Sequence, residues 1–197
     1  MIVVLMIVAY ILGSIPNALW IGKVFKGIDV REHGSKNTGS TNAARVLGAK
    51  LGILTLILDI SKGAIPTLIA TMLLDSSISV ILVGICAILG HSFSIFMKFK
   101  GGKAVATTVG VFIVLVPGAI LLAAVIFFLV FGITRYVSLS SMIGAISLPI
   151  WIILFYKNIP LTIFGIIIAI LIIVRHKSNI QRLLNGTESK FSINKKK

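Results

Sequence analysis

The sequence has few charged residues and almost no cysteine. Only 12% of its 197 residues are Asp, Glu, Lys or Arg, whereas a soluble domain has about 25%. The single cysteine, Cys86, lies within an apolar run, which excludes an intrachain disulfide, a cysteine-rich metal site and an iron–sulfur cluster. The acidic residues are Asp29, Glu32, Asp59, Asp75 and Glu188. They are too scattered for a carboxylate dyad or a two-metal site, so we expect no metal.

Hydrophobic residues make up 57% of the chain, and the mean hydropathy is +1.10. These values indicate an integral membrane protein. The net charge of +14 does not indicate nucleic-acid binding. A nucleic-acid-binding protein gathers its Lys and Arg on one exposed face, whereas here they lie in short connections between apolar runs.

Seven apolar runs are long enough to suggest membrane spans. They cover residues 2–22, 43–74, 78–97, 103–117, 118–134, 138–156 and 159–174. The run 43–74 would form a helix of about 48 Å in a hydrocarbon core of about 30 Å, yet each half alone would be too short to cross. We therefore expect one crossing whose helix is broken between Asp59 and Pro66. The simplest arrangement for the two charges there is an Asp59–Lys62 pair at i, i+3.

Charge asymmetry orients the spans. The first run has no basic residue before it and has Lys23 and Lys26 directly after it, so its C-terminal end is expected in the cytoplasm. If 43–74 crosses once, all of the 19 basic residues except Lys62 and Lys157 fall on the cytoplasmic side or at its interface. The sequence thus predicts an all-α integral membrane protein with seven transmembrane helices, an external N-terminus and a cytoplasmic C-terminus.

The first of four polar segments is HGSKNTGSTNAAR, residues 33–45. Its glycines permit tight turns, and a helix start rich in Ser, Thr and Asn presents backbone N–H groups to an anion. Arg45 adds a planar guanidinium that suits phosphate oxygens. The alternative is a capped interfacial loop, since Thr41 or Asn42 would be an ordinary N-cap.

The second polar segment is GHSFSIFMKFKGGKAVATT, residues 90–108. Its lysines flank two glycines, a combination in which an anion can approach the backbone and be held by positive charge. Lys98 and Lys100 are equally typical of a positive-inside turn. Lys103, which we place at the start of the next helix, is the favoured ligand. His91 suits a backbone carbonyl as well as it suits a ligand.

The third and fourth segments lie at the ends of spans. In SLSSMIGAISLP, from residue 138, the hydroxyls commonly bind neighbouring helices, but Ser141 is a candidate phosphate donor. In RHKSNIQRLLNGTE, residues 175–188, His176 and Asn179 are i, i+3 and should face the same way from one helix. A charged membrane anchor would explain the other basic residues there, but it explains these two less well.

All four segments fall on the cytoplasmic side of the predicted topology, which indicates a site for anionic ligands there. A nucleotide-binding P-loop is excluded, because Ser40 stands where that motif needs lysine and no strand precedes the loop. A non-enzymatic carrier of a small anion or lipid phosphate would use the same basic segments. No inverted repeat is visible, which weakens the case for an alternating-access transporter.

Three of the segments resemble the motifs of the acyl-phosphate:glycerol-3-phosphate acyltransferases, the bacterial PlsY family. The first resembles GS-x-N-x-G-x-TN-x-x-R, with Lys36 and Thr38 where glycine and proline are common. The second resembles GH-x-F-P-x-F-x-x-FKGGK-x-VAT, with Ser94 and Ala104 where proline and glycine are common. The fourth resembles RH-x-x-NI-x-RL-x-x-G-x-E and is matched throughout. The resemblance runs from GSIPNALWIGK at residue 13 through residue 188 and includes DISKG at residue 59.

The resemblance implies transfer of a fatty acyl group from acyl phosphate to the sn-1 hydroxyl of glycerol 3-phosphate, which gives lysophosphatidic acid and inorganic phosphate. It places five residues around glycerol 3-phosphate: Ser35, Arg45, Lys103, His176 and Asn179. Our candidates for the acyl-phosphate head are Asn37, Gly39, Thr41, Asn42 and Ser141, and further substrate-binding candidates are His91, Gly101 and Gly102. The better-known acyltransferase motif, H-x-x-x-x-D, is absent, because Thr38, Phe96 and Gln181 lie five residues beyond the three histidines.

No cofactor is expected, because acyl phosphate already carries a good leaving group and the protein has mainly to position the alcohol and stabilise an oxyanion. The resemblance implies a multi-pass protein of the bacterial inner membrane whose active site faces the cytoplasm. Its implied partners are the two substrates, the lipid bilayer and the soluble enzyme that makes acyl phosphate. We expect one polytopic domain over residues 1–186 and a basic, disordered cytoplasmic tail over 187–197, with Lys195–Lys197 attracted to anionic lipid.

Overall fold

The computed structural model describes residues 1–191, and every regular element in that part of the chain is a helix. The α-helices are α1 (Ile2–Ser14), α2 (Asn17–Lys26), α3 (Ser40–Leu47), α4 (Ala49–Leu73), α5 (Ser77–Ser92), α6 (Val105–Leu115), α7 (Pro117–Thr134), α8 (Val137–Tyr156), α9 (Ile159–Arg175) and α10 (Lys177–Leu184). A short 3₁₀ helix covers Ile95–Met97. The all-α prediction is confirmed, and Lys195–Lys197 lie outside the described residues.

Four helical segments within residues 1–191 are long and apolar enough to cross a membrane by themselves. They are Ala49–Leu73, Ser77–Met97, Pro117–Thr134 and Val137–Tyr156. Two bent pairs also qualify when each pair is taken as one span, which gives up to six. The pair α1 and α2 bends by 42°, and the pair α9 and α10 bends by 59°. The remaining predicted span, residues 103–117, contains only the 11-residue helix α6, which is shorter than the four segments that qualify by themselves.

The first apolar run, predicted as one span over residues 2–22, is broken at Ile15 and Pro16. Pro16 has no N–H to donate to the helix, and its ring disfavours helical geometry at the residue before it. Ile15 accordingly has an extended ψ of 118°. Helix α2 then continues to Lys26, four residues beyond the predicted end.

The predicted break between Asp59 and Pro66 is wrong. Helix α4 is continuous and contains Pro66, and the interruption lies earlier, at Gly48, which has φ 96° and separates α3 from α4. Asp59 and Lys62 do form the i, i+3 ion pair, with Oδ1 and Nζ 2.9 Å apart. Because the two buried charges neutralise each other within the helix, the backbone does not have to unwind to satisfy them.

Residues 1–111 form one compact unit. In it, α1 packs on α4 and α5, while α2 and α3 pack on α4. Gly13 and Gly90 allow α1 and α5 to approach closely, because a Cβ on Gly13 would overlap the backbone of Ala87 and one on Gly90 would overlap the carbonyl of Tyr10. This close contact brings the loop after α5 next to the end of α1.

Residues 112–191 form a second compact unit, in which α8 packs on both α7 and α9. Phe112 stacks on Phe164 with ring centroids 4.7 Å apart. Residues 187–191, which the sequence assigns to the tail, are attached to this unit, since the Phe191 amide donates to the Arg135 carbonyl over 2.9 Å. That residues 1–186 form one domain stays a prediction.

Candidate active site

The loop between α2 and α3 begins with a tight charged turn. The Arg31 guanidinium donates to both carboxylate oxygens of Asp29, and its backbone N–H donates to Oδ1 over 3.0 Å. The side-chain hydrogen bond from Arg31 lowers the pKa of Asp29 to about 2. The carboxylate is therefore charged at neutral pH and holds the turn that leads into the first polar segment.

Asn42 organises the first polar segment from within. Its Oδ1 accepts from the Ser35 amide over 2.8 Å, and its Nδ2 donates to the carbonyls of Val30 and Asn37, each over 2.9 Å. Asn42 is 1% exposed. The sequence predicted Asn42 as a candidate for the acyl-phosphate head. In the structure, the hydrogen bonds of its side chain hold the loop that carries Ser35.

Helix α3 is not capped by a side chain. The predicted alternative was an N-cap at Thr41 or Asn42, but the N-cap is Gly39, whose amide donates to Oδ1 of Asn37 over 2.9 Å. The amides of Asn42 and Ala43 donate to the Gly39 carbonyl over 3.1 Å, whereas those of Ser40 and Thr41, at the very start of α3, have no preceding helical carbonyl to bind. Thr41 and Arg45 are i, i+4 on α3, which places them on one face.

The second polar segment folds back onto the end of α5. The Gly101 amide donates to the Ser92 carbonyl over 3.1 Å, and the Gly102 amide donates to the His91 carbonyl over 3.0 Å. Lys103 is half-buried, whereas Lys98 and Lys100 are exposed. Lys103 does not open the next helix as predicted. Helix α6 begins at Val105, because Ala104 adopts a left-handed conformation with φ 59°.

His91 lies buried beneath this loop. Its Nδ1 is 3.1 Å from the Thr107 hydroxyl, and a Cβ on Gly102 would overlap its ring at Nε2. A narrow crevice lies beside it. The crevice is lined by Ser14, Ile15, Pro16, Thr38, Lys62, His91, Met97 and Gly102. The fold thus brings the first polar segment, at Thr38, next to the second, at Gly102.

Lys36 and Ala104, which both occupy positions where glycine is common in the motifs that this sequence resembles, have the same backbone conformation. Lys36 has φ 58° and Ala104 has φ 59°. Glycine adopts positive φ without strain, which explains why it is common at both positions. At Ser94, where proline is common, the hydroxyl donates to the Ser14 carbonyl. Serine at this position therefore adds a hydrogen bond between the loop and α1.

In the second unit, His176 marks the break between α9 and α10. It ends α9, so His176 and Asn179 do not project from one straight helix as predicted. His176 Nδ1 is 2.8 Å from the Ile172 carbonyl. Because a carbonyl can only accept, Nδ1 carries the proton, and Nε2 of the neutral ring is an acceptor.

Glu188 is the residue that the sequence analysis missed. Its carboxylate accepts from Ser138 Oγ over 2.6 Å, from Asn179 Nδ2 over 2.7 Å and from Arg182 Nε over 2.7 Å. Burial raises the pKa of Glu188, but the hydrogen bonds from these three residues outweigh it and leave the pKa below its usual value. The signal in the sequence was an acidic residue within a basic segment. Ser141, by contrast, donates to the Val137 carbonyl of its own helix over 2.8 Å.

Residues 3–186 match the family model described as glycerol-3-phosphate acyltransferase. The chain is 50% identical over 185 residues to a glycerol-3-phosphate acyltransferase of Fusobacterium nucleatum subsp. nucleatum, an alignment that covers 94% of this chain and 95% of that one. It is also similar to two crystal structures of PlsY (YgiH), an integral membrane glycerol 3-phosphate acyltransferase.

The glycerol 3-phosphate form of PlsY matches with a TM-score of 0.93 and 40% identity, covering 97% of this chain and 96% of that one. The lysophosphatidic acid form matches with a TM-score of 0.90 and 39% identity, covering 98% and 96%. Together with the helical fold and its apolar spans, these matches show that the chain belongs to the glycerol-3-phosphate acyltransferase family, the PlsY family of integral membrane proteins.

Proposed function

We propose that this membrane acyltransferase moves a fatty acyl group from acyl phosphate to the sn-1 hydroxyl of glycerol 3-phosphate, giving lysophosphatidic acid and inorganic phosphate. The observation that carries the proposal is the near full-length likeness to an acyltransferase with both a glycerol 3-phosphate form and a lysophosphatidic acid form. Both proposed substrates bear phosphate, and the basic loops beside apolar helices supply the matching charge and an apolar surface for the acyl chain.

We assign glycerol 3-phosphate to Ser35, Arg45, Lys103, His176 and Asn179. Arg45 and Lys103 supply positive charge to its phosphate, and both are half-buried, so water screens them less than it screens the exposed lysines. The acyl-phosphate head is assigned to Asn37, Gly39, Thr41, Asn42 and Ser141. His91, Gly101 and Gly102 are further substrate-binding candidates that are assigned to neither phosphate. Because Asn42 fixes the loop, its contribution to the acyl-phosphate head is through the backbone amides that it holds in place.

In the proposed reaction, the sn-1 oxygen attacks the acyl carbon, and the bond between that carbon and the phosphate oxygen breaks. The proton of the hydroxyl passes to the departing phosphate, whose second pKa of about 6 allows it to accept a proton at neutral pH. His176 Nε2 accepts a hydrogen bond from the other hydroxyl of glycerol 3-phosphate and so orients the substrate, because Nδ1 is occupied by the Ile172 carbonyl. The two phosphates are held by cations and backbone amides, so positioning and electrostatics provide most of the catalysis.

For the topology, we propose seven crossings with the N-terminus outside and the C-terminus in the cytoplasm of a bacterial inner membrane. The distribution of basic residues between the two sides of the membrane supports this arrangement. If α6 crosses, Arg135 and the basic residues after α9 lie on the same side as Lys98, Lys100 and Lys103. The active site then faces the cytoplasm, where a soluble enzyme that makes acyl phosphate can deliver the donor.

The test uses the purified protein in lipid nanodiscs with acyl phosphate and glycerol 3-phosphate. We expect lysophosphatidic acid and inorganic phosphate to form in equal amounts, and no phosphate release in the absence of glycerol 3-phosphate. The matched control is Lys103→Ala in the same nanodiscs. If the wild-type protein forms no lysophosphatidic acid but moves glycerol 3-phosphate or phosphate into sealed vesicles, it is a carrier and the proposal fails.

A further inference from the structure

The break between α1 and α2 leaves backbone carbonyls without helical partners inside the protein. Buried side chains supply the missing donors. Lys62 Nζ donates to the Ile15 carbonyl over 2.8 Å, and the Ser94 hydroxyl donates to the Ser14 carbonyl. The carbonyl end of a helix carries partial negative charge, which a cation stabilises. Lys62 therefore serves the break at Ile15 although it lies 47 residues later in the chain.

Lys62 is also one member of a buried ion pair. Its side chain is 7% exposed and that of Asp59 is 2% exposed. Asp59 Oδ1 accepts from Asn17 Nδ2 over 2.9 Å, so the carboxylate is bonded to the first residue of α2. A buried ion pair gives little net stability, because the cost of desolvating two charges offsets their attraction. The pair binds Ile15 before the break and Asn17 after it, which indicates that it positions the chain on both sides of the break.

The same carboxylate faces the histidine under the second polar segment. His91 Nδ1 is 3.9 Å from Asp59 Oδ1 and 3.1 Å from the Thr107 hydroxyl. This edge of the ring therefore faces α4 and the start of α6. The opposite edge, at Nε2, lies directly against Gly102. The ring is thus held between the ion pair and the loop.

The loop rests on His91 through its backbone as well. The Gly102 amide donates to the His91 carbonyl over 3.0 Å, and the Gly101 amide donates to the Ser92 carbonyl over 3.1 Å. A side chain at Gly101 would overlap the His91 carbonyl, and a side chain at Gly102 would overlap the ring. The position of Lys103, the next residue, therefore depends on where His91 lies.

We propose that the buried Asp59–Lys62 pair is a positioning device, which holds His91 beneath Gly101 and Gly102 and so sets the position of Lys103. The ion pair itself does not contact substrate. The consequence for activity rests on the proposed function, in which Lys103 binds the phosphate of glycerol 3-phosphate. The consequence for the loop rests on the structure alone.

The test replaces the pair without leaving a single buried charge. Removing one partner would strand the other in the interior and could prevent folding. The variant Asp59→Asn/Lys62→Met removes both charges, keeps side chains of similar size and keeps an oxygen for Asn17 to bind. The Ile15 carbonyl retains the Asn17 amide as a donor. Thr107→Val is the second variant, because it removes the hydroxyl beside His91 without any change of charge.

Hydrogen exchange measures the loop directly. In the double variant, the amides of Gly101 and Gly102 should exchange faster than in the wild-type protein by about tenfold or more. Thr107→Val should accelerate the same amides in the same direction. The control is Thr67→Val, a buried threonine of α4 whose hydroxyl donates only to its own helix, at the Gly63 carbonyl over 2.8 Å. It should leave these amides unchanged.

Steady-state kinetics measures the consequence for the substrate. We expect the KM for glycerol 3-phosphate to rise by about tenfold to a hundredfold in the double variant, since a small displacement of a charged ligand has effects of that size. The KM for acyl phosphate should change much less. A merely structural defect would reduce the amount of active protein and leave both KM values unchanged.

Unchanged exchange of Gly101 and Gly102 in a folded double variant would overturn the proposal. So would equal changes in both KM values. If the double variant does not fold, Thr107→Val decides by the same exchange measurement. If the wild-type protein makes no lysophosphatidic acid while the loop amides still respond, the proposed function fails and the positioning device stands.

Discussion

Asn179 donates a hydrogen bond from Nδ2 to Oε1 of Glu188 over 2.7 Å, although the two residues are nine positions apart. With its nitrogen engaged, the Asn179 amide is fixed so that Oδ1 points away from the carboxylate. Ser138 and Arg182 bind the same carboxylate. Glu188 thus ties α8 and α10 together and determines which way a candidate substrate ligand faces.

Glu188→Ala should lower the free energy of unfolding by about 2 kcal/mol, because Ser138 and Asn179 would lose their acceptor in a buried setting. The thermal midpoint in detergent measures this loss. The control is Glu32→Ala, which removes an exposed carboxylate and should change stability by less than about 0.5 kcal/mol. Equal thermal midpoints for the two variants would show that Glu188 is not a structural link.

The pH dependence of stability should depend on the same carboxylate. The three hydrogen bonds keep the pKa of Glu188 below its usual value despite burial. Its contribution is therefore complete above the pKa of an unfolded glutamate, about 4.3, and is lost as the pH falls through the lower folded-state pKa. The difference in thermal midpoint between wild type and Glu188→Gln should shrink on acidification from pH 7 to below pH 4. A constant difference would contradict this assignment.

Arg45→Ala and Lys103→Ala should each lower kcat/KM for glycerol 3-phosphate. The drop should correspond to a loss of about 2 to 4 kcal/mol in transition-state stabilisation, the usual cost of removing a charged partner of a bound anion. Lys98→Ala is the matched control, because Lys98 is an exposed lysine of the same loop. Its effect should be much smaller. Small and equal effects for all three variants would mean that these cations only set the topology.

The helices were predictable because they are long and strongly apolar. Helices α7, α8 and α9 begin and end within one residue of the predicted runs. The Asp59–Lys62 pair was also predictable, since i, i+3 neighbours on a helix meet whatever surrounds them. Both features depend on local sequence alone.

The breaks and the supporting contacts were not predictable from local sequence. Pro66 lies within a continuous helix whereas Pro16 interrupts one. The difference is that Lys62 and Ser94, from distant segments, bind the carbonyls exposed at the Pro16 break. Likewise, Asn42 and Glu188 act through partners that become neighbours only in the folded chain. Which residues hold the loops thus follows from tertiary contacts.

Lys36→Gly should stabilise the protein by about 1 kcal/mol. Lys36 has φ 58°, and a left-handed conformation costs about 1–2 kcal/mol for a residue with a Cβ, part of which the greater freedom of unfolded glycine cancels. The thermal midpoint should rise. The control is Lys100→Gly, an exposed lysine outside the left-handed region, where glycine should be neutral or destabilising. A loss of stability in Lys36→Gly would show that the backbone there is not strained.

The topology is tested by single cysteines in a Cys86→Ala background. Cysteines at Lys100, Arg135 and Asn185 should react with an impermeant maleimide only from the cytoplasmic side, and one at Asp75 only from outside. These positions are exposed and flank different helices. Labelling of the Lys100 site from outside would exclude the seven-span arrangement, and external labelling at both Arg135 and Asn185, with Lys100 still cytoplasmic, would show that α6 does not cross.

His176→Gln tests which group takes the proton of the attacking hydroxyl. In the structure, Nδ1 of His176 binds the Ile172 carbonyl over 2.8 Å, and Nε2 is the acceptor that can orient glycerol 3-phosphate. Glutamine keeps a hydrogen-bonding group of similar reach but cannot act as a base. A positioned base contributes about 100-fold to 10,000-fold to the rate. If acyl phosphate supplies its own base, the kcat of the variant should fall by a much smaller factor.

The pH profile separates the two mechanisms more sharply than the rate alone. If the departing phosphate accepts the proton, the acidic limb of kcat reports the phosphate and should be unchanged in His176→Gln. If His176 is the general base, the acidic limb reports its imidazole and should disappear together with most of kcat. Isothermal titration with glycerol 3-phosphate checks that the variant still binds the acceptor. A collapse of kcat with the acidic limb abolished and binding intact would make His176 the base, because only loss of proton transfer would produce all three results together.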